Sequence, residues 1–192
     1  MGCRLHYEQP GAEEQLATAL SAVVARVGTP HRRLVYLCIG TDRSTGDALG
    51  PLVGERLSGQ IGSLAEVLGT LRDPVHASNL QEAVESLRNR APQAVVVAGD
   101  ACRGRSESVG TITVGRGALT PGAGVNKTLP EVGAAFITGT VNVGGFMEYF
   151  VLQNTRLHLV MRMAETIAAG MLLAARSLAW EARDALPASA MA

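Results

Sequence analysis

Residues 34–51 read Leu34-Val35-Tyr36-Leu37-Cys38-Ile39-Gly40-Thr41-Asp42-Arg43-Ser44-Thr45-Gly46-Asp47-Ala48-Leu49-Gly50-Pro51. The unbroken apolar run 34–39 is the pattern of a strand buried on both faces, as in a parallel sheet. The polar, glycine-bracketed loop after it leads into a helix start, with Pro51 in the first turn, where backbone N–H groups lack intrahelical partners. Strand, loop and helix make half of a βαβ unit. In open parallel sheets ligands bind in the crevice beyond the carboxyl ends of the strands, so this acid-bearing loop is a candidate site.

Outward from this unit the chain alternates. Residues 12–27 carry Leu16, Ala19, Leu20, Val23, Val24 and Val27 at amphipathic-helix spacing, ended by Gly28 and Pro30. After a helix over 48–60 come a short strand near 66–69, the loop Thr70–His76, and a helix over 79–90 with Leu80, Val84 and Leu87 on one side. Val95–Ala98 reads as a buried strand ending at Asp100, and 109–114 alternates apolar and hydroxyl residues as a half-exposed strand. A proline- and glycine-rich loop over 119–130, a strand over 136–143, a break at Gly144-Gly145, and a helix from Met147 to about Arg183 complete the pattern, with 185–192 as a frayed tail. The expectation is one α/β domain over 1–192, with helices on both sides of a mostly parallel sheet in three layers.

Composition narrows the function. Over 192 residues, Lys plus Arg and Asp plus Glu balance at 17 each, which supplies no global attraction for nucleic acid or an anionic membrane. The apolar stretch 157–180 is interrupted by Arg162, Glu165 and Arg176, costly groups at bilayer depth, and reads as a buried helix. No secretory leader pattern stands at the amino terminus, which points to the cytoplasm. Cys3, Cys38 and Cys102 form no Cys-x-x-Cys, against a disulfide framework or structural zinc, and no cofactor is expected. The long apolar helix leaves a homo-oligomer open.

Asp47 and Asp100 each follow a strand, the first and third of the βαβ pattern. In a 2-1-3 strand order those strands are neighbours and their loops meet at a topological switch point, where two carboxylates can divide acid and base work on one water. Asp47, at the helix start, is favoured in its ionised form and reads as the base; Asp100, leaving an apolar strand, reads as the acid. The alternative for Asp47 is a helix N-cap, worth about 1 kcal/mol and needing no function.

Other candidates carry two readings each. Asp42 suits an Asx-turn or a metal ligand. His76 is either a proton carrier at the site mouth or an exposed loop histidine. Cys102 has no adjacent base and reads as packing, as does His158. Loop 117–127 offers backbone N–H groups and Lys127 to an oxyanion or phosphate, but without a Walker A or Gly-x-Gly-x-x-Gly pattern it does not predict nucleotide binding. Thr138, Thr140 and Asn142 line one strand face. The expected substrate-binding set is Thr41, Asp42, His76, Gly124, Asn126, Lys127 and Asn142.

Thr45-Gly46-Asp47-Ala48-Leu49-Gly50-Pro51, Gly99-Asp100-Ala101-Cys102 and Pro121-Gly122-Ala123-Gly124-Val125-Asn126-Lys127 resemble segments of the bacterial spore germination protease in order and spacing. Over about residues 33–170 the chain more closely resembles the YyaC family of sporulation proteins, through Val35 to Val53, Asp73-Pro74-Val75-His76, Pro121 to Pro130, Gly139 to Gly145 and Leu152-Gln153-Asn154-Thr155-Arg156-Leu157. The resemblance implies the phosphorylase/hydrolase-like α/β fold shared with hydrogenase maturation endopeptidases. It implies a catalytic aspartate pair at Asp47 and Asp100, and a cytoplasmic peptidase of the sporulating cell or forespore acting on a peptide or protein. In the hydrogenase endopeptidases the matching acids bind nickel with a histidine in a later loop; this chain has no His between His76 and His158. It also has Gly99 where the relatives place an apolar residue. The rival readings are a non-catalytic spore protein binding a partner in the same crevice, and a metal-dependent hydrolase using Asp47, Asp100 and His76.

Overall fold

The run Leu34–Cys38 is a strand, β2, with every residue buried. A computed structural model describes residues 2–27, 33–121, 129–144 and 154–184, with side chains described through 179. Before β2 come β1 (Cys3–His6) and α1 (Ala12–Val27); after it follow α2 (Leu49–Ser58), β3 (Glu66–Leu68), α3 (Leu80–Arg90), β4 (Val95–Gly104), β5 (Thr111–Arg116), β6 (Ala135–Val143) and α4 (Leu157–Asp184). The strands form one sheet in the order β1-β5-β6-β4-β2-β3. β3, β2, β4 and β6 run parallel, β5 is antiparallel to β6, and β1 antiparallel to β5, so β5 alone opposes the common direction. The predicted neighbourhood of β2 and β4 is present, with β3 on the far side of β2.

Alternation along the strands sends side chains into two cores. On one face Tyr36, Cys38, Val95, Val97 and Ile137 pack with Leu16 and Leu20 of α1, Val53 and Leu57 of α2, and Met163, Ile167 and Met171 of α4. On the other, Leu37, Ile39 and Ala98 meet Leu80 and Val84 of α3, together with Val75 and Val132. Helices therefore lie on both faces, the three-layer arrangement expected. Over Leu157–Ala179 α4 has the length and mean hydropathy, 1.4, of a membrane span, yet 56% of its most apolar window is buried in the protein core. The Tyr36 hydroxyl donates to the Met171 carbonyl at 2.9 Å, and Arg56 of α2 pairs with Glu165 of α4 at 3.1 Å.

Three elements and one side chain differ from the sequence expectations. β1 was not foreseen: four residues with one buried side chain carry almost no period, and its partner β5 makes it a strand. β4 does not end at Asp100 but runs to Gly104, because β6 continues the ladder beyond the end of β2. Residues 154–156 are not helical, and α4 begins at Leu157 rather than Met147. His158 is exposed rather than packed. The tail 185–192 and most of the predicted helix start, 147–153, lie outside the described residues.

Candidate functional site at the carboxyl end of the sheet

The loop after β2 closes on itself by backbone contacts that only glycine permits. The Thr41 N–H donates to the Asp47 carbonyl at 3.1 Å. Gly40, at φ 147°, lies so close that a Cβ there would stand 2.1 Å from the Asp47 oxygen, and a Cβ on Gly50 would stand 2.0 Å from the Ile39 oxygen. These two glycines seat the start of α2 against the end of β2. The loop's inner turn is made by Thr41, whose Oγ1 accepts the Arg43 N–H at 3.3 Å, while Asp42 is exposed. The hydroxyl of Thr41 thus makes the local turn expected of Asp42.

Asp47 is not a helix cap. It sits in a 3-10 turn, Gly46–Ala48; α2 starts at Leu49 with Ala48 in the N-cap position and no side-chain cap. The turn packs on β4 and α4. Burial pushes the Asp47 carboxyl above its ordinary value, against smaller opposing effects from Ser44 and from the Arg103 guanidinium. The Ser44 Oγ is buried without a well-formed hydrogen bond. The Asp47 carboxyl is thus not held below its ordinary value as a helix-start position would favour: the side chain stands ahead of the helix proper, and burial dominates its shift.

Asp100 lies inside β4, opposite Thr138 of β6 and one residue past Gly99, the partner of the last β2 residue, Cys38. It is the first β4 residue beyond the end of β2. Its Oδ1 accepts the Ala101 N–H at 2.8 Å, which orients the carboxyl. Val96 and Ala98 pack on the α3 side and Val97 and Ala101 on the other, so strand alternation sets Asp100 on the α3 face. A Cβ on Gly99 would meet nothing nearer than 4.0 Å, so the glycine is no requirement of the fold there.

The His76 loop joins the same end of the sheet. Val75 bridges Ile39, and its carbonyl accepts the Gly40 N–H at 2.8 Å. The His76 N–H donates to Asn79 Oδ1 at 2.8 Å, and its Nδ1 accepts the Ser78 N–H at 3.3 Å, so the loop is fixed by its own polar groups. Asn142 follows a register shift in the β4–β6 ladder that sets it opposite Arg103. Its Nδ2 donates to Thr155 Oγ1 at 3.0 Å, tying β6 to the approach to α4. The bulge breaks the alternation that grouped Asn142 with Thr138 and Thr140. Cys102 Sγ lies 3.4 Å from Thr140 Oγ1 on β6. Gly124, Asn126 and Lys127 lie outside the described residues. The stem of their loop is pinned by the Leu119–Val132 bridge.

Sequence reading missed Ser44 and Arg103. Ser44 stands three residues before Asp47, and Arg103 was hidden by the belief that β4 stops at Asp100. Among the described residues no three His, Cys, Asp or Glu side chains gather as a metal set. Asp47, Asp100 and His76 are all described, so these three do not form one.

A mostly parallel sheet between helix layers is also the fold of a solved maturation protease. A [NiFe] hydrogenase maturation protease, HycI, from Thermococcus kodakarensis KOD1 superposes with a TM-score of 0.52 over 80% of this chain and 97% of its own, at 20% identity. The chain belongs to the family described as a protein of unknown function (DUF1256), which matches residues 4–170. The uncharacterized protein YyaC of Bacillus subtilis (strain 168) is 52% identical over 167 residues, 86% of this chain and 80% of the relative. The family match begins well before residue 33 and takes in β1 and α1.

Proposed function

We propose that the protein is a peptidase in which Asp47 and Asp100 act on one water and one peptide carbonyl. The observation that carries the reading is the Asp47 carboxyl, which burial pushes toward its protonated form at the carboxyl end of a parallel sheet. The shared fold of a maturation protease is consistent with it. The roles are the reverse of those expected from the sequence. Protonated Asp47 donates to the carbonyl oxygen, while the Asp100 carboxylate takes a proton from the attacking water, giving a tetrahedral diol. As the C–N bond breaks, Asp100 returns its proton to the leaving nitrogen and Asp47 recovers one from the diol hydroxyl. The substrate is a peptide or protein; on the strength of the YyaC resemblance, its setting is the cytoplasm of the sporulating cell or forespore.

The pH dependence of cleavage tests the assignment. Wild-type kcat/KM is expected to fall on the alkaline side as Asp47 ionises and on the acidic side as Asp100 is protonated. Residual activity of Asp47→Asn loses the alkaline limb and that of Asp100→Asn the acidic one. Superimposable profiles for the two variants contradict the division of labour. One observation favours the non-catalytic reading: Arg103 is a charge acting on Asp47, and alternation before the bulge sets Asp100 and Arg103 on opposite faces of β4. Acids divided in this way between the two faces of β4 do not share one water, and this reading predicts peptide affinity with no turnover.

A further inference from the structure

The far side of the sheet carries a second polar feature. The core under α3 draws on β2 and β4 and on no residue of β1, β5 or β6. Cross-strand pairing sets Asp100, Thr138, Thr113 and Arg4 in one row on that face: Asp100 opposite Thr138, Thr138 opposite Thr113, Thr113 opposite Arg4. Asp100 and both threonines are half-buried and Arg4 is exposed, so the row opens toward solvent as it nears the edge.

At the Arg4 end lies a cavity of about 590 Å³, walled by Arg4, His6, Gln9 and Thr111 and by the crossover residues Arg105, Glu107 and Ser108. Arg4 is aimed rather than loose, because its guanidinium donates to Ser108 Oγ at 2.7 Å. The carboxylate opposing the two arginines is Glu107, 4.0 Å from Arg105 with both side chains mostly exposed, a pair worth little in water. His6 forms a fixed wall. Its Nδ1 accepts the Glu8 N–H, which leaves Nε2 to donate to the Val109 carbonyl at 3.3 Å. Gly110 is what admits the ring, since a Cβ there would stand 2.3 Å from His6 Nε2.

We infer that this cavity is a subsite for a carboxylate side chain of an extended peptide whose backbone follows the threonine row from Asp100 to Arg4. The inference rests on the peptidase reading for the far end of the row and supplies its substrate class, an acidic peptide. Asp100 and Arg4 are three strand spacings apart, roughly 14 Å, which an extended chain covers in about four residues. The acidic residue therefore lies about four residues from the bond addressed by Asp47 and Asp100. Arg4 and Arg105 supply the complementary charge, and the threonine hydroxyls pair with the intervening backbone.

The test is equilibrium binding, by fluorescence anisotropy, of labelled extended octapeptides to the full-length Asp47→Asn protein. A single Glu is scanned through an otherwise neutral sequence. One Glu position is expected to tighten binding roughly tenfold, and the gain is expected to vanish when Arg4→Gln and Arg105→Gln are combined. No gain at any position, or the same gain without the arginines, overturns the subsite. Because this readout needs no turnover, it stands apart from the catalytic proposal. Failure of the wild-type protein to cleave the tightest-binding peptide counts against the peptidase alone.

Discussion

At the scale of single residues the proposed chemistry turns on one half-buried acid. The Asp47 carboxyl is raised above its ordinary value of 3.8 chiefly by desolvation. Its folded form holds a proton more tightly than its unfolded form, so its contribution to stability is fully present below 3.8 and is lost as pH rises through the folded value. Asp47→Asn is therefore expected to raise the thermal midpoint at neutral pH and to leave it unchanged near pH 3, measured by calorimetry across that range. A midpoint lowered at pH 7 contradicts the assignment of burial as the dominant effect. The place of Asp47, in the loop after a buried strand, was legible in the sequence. The upward direction of its shift was not, because that depends on a 3-10 turn placing the side chain ahead of α2 and against β4.

Close backbone approach sets the geometry between elements. The pair Gly50 and Gly99 separates a glycine the fold requires from one it does not. Gly50→Ala drives a Cβ into the Ile39 carbonyl and is expected to cost roughly 1–3 kcal/mol, whereas Gly99→Ala has open space and is expected to gain about 0.5 kcal/mol by stiffening β4. Urea denaturation of both variants checks the contrast. The gain at Gly99 also bears on Asp100, whose placement comes from the β6 ladder and not from the residue before it. That ladder explains why the end of β4 was misread: Gly99-Asp100-Ala101-Cys102-Arg103-Gly104 has little strand propensity of its own, and β6 makes it a strand. Long amphipathic elements such as α1 and α3 were readable because their period is internal to them; β1 and the β4 extension were not, because their structure is held by a partner distant in sequence.

Across the whole molecule, α4 joins α1 and α2 to one face of the sheet. The buried Tyr36 hydroxyl, at the centre of β2, reaches the Met171 carbonyl on α4. Tyr36→Phe is expected to lose about 1 kcal/mol with an unchanged denaturant slope, since one buried hydrogen bond is removed without a cavity. The three-layer architecture and the 2-1-3 neighbourhood of β2 and β4 followed from the alternation of buried strands and amphipathic helices. The antiparallel pairing of β5 did not, because alternation along a strand carries no direction in its pattern; nor did its burial, since four of its six residues are buried where the alternation reads as half-exposed. At this scale the proposed peptide path runs from Asp100 along the threonine row to the arginine cavity, on the α3 face of the sheet.

The measurement that bears most directly on this account is cleavage of a peptide library, read by mass spectrometry, with wild-type, Asp47→Asn and Asp100→Asn proteins verified as folded by circular dichroism. The account predicts cleavage by the wild-type protein and a loss of roughly 10²–10⁴-fold in each variant. Full activity in either variant, or a folded wild-type protein that binds these peptides and cleaves none of them, contradicts it.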